Sequence, residues 1–138
     1  MNTEQLTEKE KMTVLVVEPM KKPYIKEIES GLASLQHEVG GYIQAVYPWD
    51  EPCAIVCDDE AKLKGKELNR VLRDEDGEIY DAVAGTFLIV GLSEDDFTSL
   101  TDEQIQQFSE KFTVPEIFVQ VGQVILMLPL DDFDDGED

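Results

Sequence analysis

The charge of this chain is lopsided, and any fold it adopts has to accommodate that. Residues 1–73 carry 13 acids against 10 bases, whereas residues 74–138 carry 18 acids against Lys111 alone. Six of the acids close the chain at Asp131, Asp132, Asp134, Asp135, Glu137 and Asp138. So short a block of like charge repels itself and stays solvated, and it reads as a disordered tail over 131–138. The rest of the excess falls inside the foldable part, at Asp74, Glu75, Asp76, Glu78 and Asp81 and again at Glu94, Asp95, Asp96, Asp102 and Glu103. Self-repulsion among these groups opposes compaction, so either a functional use or simple solubility must account for the net charge of −20.

The apolar residues suffice for one compact domain over residues 12–130, preceded by a flexible arm at 1–11. No uninterrupted apolar run reaches a membrane-spanning length and the first residues are polar, so the expected location is cytoplasmic, with no membrane partner. Net charge of this sign also argues against direct contact with nucleic acid.

Met12 to Glu18 is short, β-branched and bounded by Pro19, and reads as a buried first strand. Over residues 23–37, Pro23 and the spacing of Ile25, Ile28, Leu32 and Leu35 predict a helix, stopped by Gly40-Gly41, with His37 near its end. Tyr42 to Tyr47 and Cys53 to Asp58 read as a pair of strands joined through the proline-bracketed loop Pro48-Trp49-Asp50-Glu51-Pro52. Lys62 to Arg73 holds five of the eleven bases and predicts one short basic helix. Ile79 to Gly91 predicts a central strand in which Gly85 marks a bulge or a close backbone approach. Leu92-Ser93-Glu94-Asp95-Asp96-Phe97 and Leu100-Thr101-Asp102-Glu103-Gln104-Ile105 share the grammar of a capped helix start, and Thr101 with Gln104 completes a capping box. The second helix should run to about Lys111, and Gly122-Gln123 should turn a terminal hairpin. The expected fold is therefore α+β: a mixed or antiparallel sheet of about five or six strands, one longer helix and two short acidic helices.

No reaction is legible. Cys53 and Cys57 lie four apart in a strand, about 13 Å at 3.3 Å per residue, beyond disulfide reach. With His37 the only histidine and no third cysteine, neither a metal site nor a nucleophile–base pair can be assembled, and no catalytic residue, metal ligand or cofactor is expected. Around Gly77 a calcium-loop register puts Leu72 and Val83 at the end ligand positions, and Gly65-Lys66 lacks the remainder of a phosphate loop. The basic island at 62–73 reads as internal neutralisation of nearby acids. Trp49 is either an exposed anchor for a partner or packing over a sheet edge. Were the chain an enzyme of unfamiliar type, Asn69, Arg70 and Asp81 would be its polar candidates.

Several segments together resemble a known family. Val16-Val17-Glu18-Pro19, Leu35-Gln36-His37-Glu38-Val39-Gly40-Gly41-Tyr42-Ile43-Gln44-Ala45-Val46, Lys62-Leu63-Lys64-Gly65, Leu68-Asn69-Arg70 and Tyr80-Asp81-Ala82-Val83-Ala84-Gly85-Thr86-Phe87 are similar to the domain-of-unknown-function family 3846. Lys66-Glu67 departs from the small or apolar pair expected before Leu68. The resemblance implies no activity. It implies a setting in phage, plasmid and conjugative elements of Firmicutes and related bacteria, where small acidic proteins antagonise host restriction or CRISPR defence, a step made by analogy.

In that setting the leading expectation is a non-enzymatic binding protein that presents a DNA-like negative surface to a host nucleic-acid-binding protein. Its partner-binding residues would be Glu94, Asp95, Asp96, Asp102, Glu103, Asp131, Asp132, Asp134, Asp135 and Trp49. Seventeen charges match about 29 Å of duplex, commensurate with a domain whose radius of gyration is about 14 Å. The alternative is a regulatory or scaffolding domain that binds through its sheet edge and Trp49, with charge serving solubility.

Overall fold

A computed structural model describes residues 10–130. Its frame is an antiparallel sheet in the order β2-β1-β7-β4-β3, built from β1 (Lys11–Val17), β2 (Tyr24–Glu29), β3 (Ile43–Val46), β4 (Cys53–Asp58) and β7 (Phe87–Leu92), with the two-residue β8 (Phe97–Thr98) paired to β7. Two separate hairpins accompany it: β5 (Leu68–Arg73) with β6 (Ile79–Ala84), and β9 (Glu116–Val121) with β10 (Val124–Pro129). The described helices are α1 (Leu32–Val39) and α2 (Asp102–Lys111).

The three central strands are apolar on both faces because both faces are covered. On one face Leu15, Val17, Ile55, Phe87 and Ile89 pack with Phe108 and Phe112 of the α2 region and with Leu72 and Val83 of the β5–β6 hairpin. On the other, Val14, Val16, Ala54, Val56, Leu88 and Val90 pack with Leu35 and Val39 of α1 and Ile28 of β2. The result is a three-layer α+β domain around a sheet of six strands.

Local signals hold where the chain caps or turns itself. The Thr101 hydroxyl accepts from the Gln104 N–H (3.1 Å) and the Gln104 side chain accepts from the Thr101 N–H (2.9 Å), so α2 starts at the expected capping box and ends at Lys111. Gly122, at φ 62°, turns β9 into β10 through a two-residue loop as expected.

Four expectations are corrected. Residues 24–29 form strand β2, not the first half of a helix, because a ladder with β1 is available and Gly31 at φ 115° separates strand from helix; Ile28 is buried, but Ile25 and Leu32, assigned to the apolar stripe, are exposed. Lys62 to Arg73 is no helix: residues 60–66 form turns, and Leu68 onward is strand β5, whose four interior residues are all buried. Ile79 to Gly91 is two strands, because Gly85 at φ 75° turns the chain from the β5–β6 hairpin into the main sheet. A Cβ there would also sit 3.0 Å from Lys66 Cδ. Finally, Ser93 caps no helix: its N–H and hydroxyl both donate to the Asp96 carbonyl (2.8 and 3.0 Å), closing a turn, and the supposed staple pair Leu92 and Phe97 faces across a strand ladder.

Buried polar groups hold the layers in register. The Asn69 amide donates to the carbonyls of Val17 and Gly85, both at 2.9 Å, and its oxygen accepts from Arg70 Nη1 at 2.8 Å. Arg70, 1% exposed, donates further to the carbonyls of Phe112 (2.9 Å) and Lys21 (2.6 Å). Asp58, 4% exposed, accepts from Lys64 (2.8 Å), Lys66 (2.7 Å) and the Glu60 N–H (2.9 Å). Lys66 also donates to the Val39 carbonyl at 3.0 Å, placing its cation at the negative end of α1.

Asn69→Ala should therefore cost about 2–3 kcal/mol, since it leaves buried hydrogen-bonding groups unmade, whereas Gln106→Ala on the exposed face of α2 should stay within about 0.5 kcal/mol in the same urea titration. For Asp58, burial pushes the carboxyl pKa up, but the hydrogen bonds and charges of Lys64 and Lys66 outweigh it and hold it well below the usual range. A depressed folded-state pKa contributes stability above the unfolded value of about 3.9 and loses it as pH falls. Asp58→Asn should be the less stable protein at pH 7, with the gap to the parent narrowing in denaturation curves taken below about pH 4.

Candidate functional site

Two exposed acidic segments leave the main sheet in succession. The turn between β7 and β8 exposes Glu94, Asp95 and Asp96, and the Asp96 carboxylate accepts from the Phe97 N–H at 2.7 Å, fixing the turn's exit. The chain then crosses β8, Leu100 donates its N–H to the Thr13 carbonyl at 3.0 Å, and the capping box presents Asp102 and Glu103 in the first turn of α2. Both acids are exposed, at the positive end of the helix dipole. Asp102 lies six positions after Asp96, so the two segments stand at most about 21 Å apart. The strand, turn and capped helix thus keep five carboxylates on one short connection.

Their counter-charges are spent elsewhere. Ion pairs join Lys21 to Glu18, Lys26 to Glu38, Lys62 to Asp81 and both Lys64 and Lys66 to Asp58. None of these pairs involves Glu94, Asp95, Asp96, Asp102 or Glu103. Arg70 is consumed by backbone carbonyls, and Arg73 donates to the Gly77 carbonyl at 2.7 Å. The basic island at 62–73 therefore neutralises and braces the domain internally, at Asp58 and Asp81, and not at the acids of the 94–103 connection.

Trp49 stands at the opposite end of α2 from Asp102. Its ring is half-buried, with its centroid 4.4 Å from that of Phe108 and 6.2 Å from that of Phe112, so it closes the core beside the helix. Its remaining surface lines an open groove of about 710 Å³ together with Tyr47, Tyr80, Asp50, Asp74 and Glu75. Asp102 and Glu103 start the ten-residue helix, about 15 Å long, whereas Lys111 at its other end lines the groove. The structure brings the 94–96 and 102–103 acids onto one connection but does not gather Trp49 among them. Tyr47 and Tyr80, 60% and 53% exposed, were not singled out from sequence; the available signal was a proline-bracketed aromatic loop lying in the fold beside the Asp74–Asp76 turn. Asp131, Asp132, Asp134 and Asp135 lie outside the described residues.

The three polar residues weighed for catalysis do not converge. Asn69 and Arg70 are buried, while Asp81 is exposed and pairs with Lys62 at 2.7 Å. Among the described residues no group of three or more His, Cys, Asp or Glu could hold a metal ion, and no helix is long and apolar enough to cross a membrane. Cys53 and Cys57 are free and buried on the same face of β4. Burial first, then the neighbouring charge of Glu51 for Cys53 and of Asp58 for Cys57, pushes each thiol up to about 11. A thiol held this far above neutral pH is a poor nucleophile. Ellman's reagent should accordingly label neither cysteine of the folded chain at pH 8 within minutes and both after unfolding in guanidinium; rapid native labelling would show that this face of β4 opens.

A family model described as Domain of unknown function (DUF3846) matches residues 12–113. The match takes in the sheet, α1, the β5–β6 hairpin and α2, and stops before β9. Neither the curated proteins nor the solved structures contain a match to the chain.

Proposed function

The chain belongs to the DUF3846 family, and from that premise we propose that it is a non-enzymatic binding protein whose acidic surface takes the place of a nucleic-acid backbone on a partner. The partner is a host nucleic-acid-binding protein, a restriction or CRISPR nuclease or a regulator, met through its basic surface in the cytoplasm of a cell carrying a mobile element. The single observation that carries this reading is the arrangement of charge. Glu94, Asp95, Asp96, Asp102 and Glu103 are exposed on one connection, while the ion pairs of Lys21, Lys26, Lys62, Lys64 and Lys66 lie elsewhere. Carboxylates held on a strand turn and a capped helix start offer a basic cleft negative charge on a backbone that is already ordered. Phosphate-binding sites are built of lysine and arginine and respond to such a field at long range.

The test is affinity capture from a host lysate on the full chain, with and without a short DNA duplex. Proteins retained at about 50 mM salt should be released by the duplex and should fall about tenfold or more in yield by about 200 mM. The combined change Asp95→Asn, Asp96→Asn, Asp102→Asn and Glu103→Gln should abolish their capture. A complex that ignores salt, duplex and these substitutions would instead support a scaffolding domain that binds through the Tyr47–Trp49–Tyr80 groove, with charge serving solubility.

A further inference from the structure

We infer that the β9–β10 hairpin is a second docking surface, for a partner segment that offers an aliphatic face rimmed by lysine or arginine. Residues directly opposed in an antiparallel ladder share a face. In this hairpin the pairs Val121–Val124, Val119–Leu126 and Ile117–Leu128 put six aliphatic side chains on one side. Val121 and Val124 are each 58% exposed, Leu128 51%, Leu126 47% and Val119 39%. Antiparallel strands ordinarily place polar residues on a solvated face, but here the face with Val119, Val121, Val124, Leu126 and Leu128 exposed is wholly aliphatic. The reverse face carries the half-buried Phe118 and Met127 nearer the base and the exposed Gln120 and Ile125 nearer the tip. The base of the hairpin is pinned by the Glu116 carboxylate accepting from the Val71 N–H at 2.8 Å, so this orientation is held. A two-stranded ribbon is marginal alone, and exposed apolar surface of a few hundred Å² marks an interaction site.

Three occupants are conceivable, and charge selects among them. Residues 1–9 and 131–138 contain only Met1, Leu6 and Phe133 as large apolar residues, too few to cover six aliphatic side chains. A second copy would bring together two chains of net charge −20, which repel each other. A foreign partner with a basic rim meets neither obstacle. Directly after Leu130 the sequence supplies six acids in eight residues. This inference rests on the acidic reading above only for the sign of that rim.

The probe is a fluorescent amphipathic helical peptide of about 18 residues made only of leucine and lysine, titrated against the full chain at about 0.3 M salt, where exposed charge pairs are well screened. The parent should bind it, and Val121→Thr with Val124→Thr and Leu126→Thr should weaken binding at least about tenfold with an unchanged urea midpoint, these side chains being exposed. The four acid-to-amide changes at 95, 96, 102 and 103 should leave most of the affinity intact, which separates this site from the one proposed above. A peptide with glutamate for lysine should not bind. Equal affinity of the threonine variant and the parent, or no binding of the leucine–lysine peptide at all, would overturn the inference. So would sedimentation showing a parent dimer that the threonine changes dissociate, since the occupant would then be a second copy.

Discussion

Arg70 is the interaction on which the other layers depend. Its guanidinium, buried beneath the β5–β6 hairpin, binds backbone carbonyls of Lys21, Asn69 and Phe112, while the adjacent Asn69 amide reaches Val17 and Gly85. These atoms belong to the end of β1 and the loop after it, the corner between β6 and β7, and the end of α2. One residue pair on β5 therefore ties the second layer to the sheet at several points. Burying a cation is costly unless its hydrogen bonds are made, and burial does lower the pKa of this one. Arginine nevertheless keeps its charge under such conditions and offers five donors in a fixed fork, a geometry lysine does not share.

With Arg70 committed to the interior, the three lysines of the 62–66 segment pair with acids close by. Lys64 and Lys66 converge on Asp58, and Lys66 also binds the end of α1. Gly41 fits this arrangement because a Cβ there would lie 2.6 Å from an Asp58 carboxylate oxygen. Lys62 takes Asp81. The basic island thus serves the junction of α1, β4 and the turns at 60–66. The unequal distribution of charge along the sequence becomes an unequal distribution of paired and unpaired charge in the fold.

How much of this was legible depended on whether a signal was local. The Thr101–Gln104 box, the Gly122-Gln123 turn and the β-branched run of β1 each act within a few residues and formed as read. Ile25 and Ile28 misled because three-residue spacing satisfies a helical stripe in sequence, whereas the ladder to β1 sends them to opposite faces. The Ser93 start misled for the same reason: its turn and acids are compatible with a helix cap, and pairing of Leu92 with Phe97 decides otherwise. Asn69 and Arg70 were weighed as polar candidates, but only long-range contacts reveal them as a brace. Of the candidate site, the acidic segments and Trp49 were readable as residue types. The aliphatic face of β9–β10 was not, because the run from Phe118 to Leu128 looks like core until the ladder puts its alternate residues on one side and Val119, Val121, Val124, Leu126 and Leu128 prove exposed.

The two proposed surfaces would do different physical work. Long-range attraction between an acidic domain and a basic partner raises the encounter rate and discriminates by sign, but screened charge pairs add little to residence time. Apolar contact has the opposite character: it acts only at close range, and it governs dissociation, where most differences in affinity arise. A chain with carboxylates fixed at the β7–β8 turn and at the start of α2, and with an aliphatic ribbon outside the family-matched residues, has the elements of both. The shared domain would then supply attraction and orientation. The ribbon would supply retention, and a change in the ribbon alone would alter how long a partner is held without altering which charge of partner is drawn in.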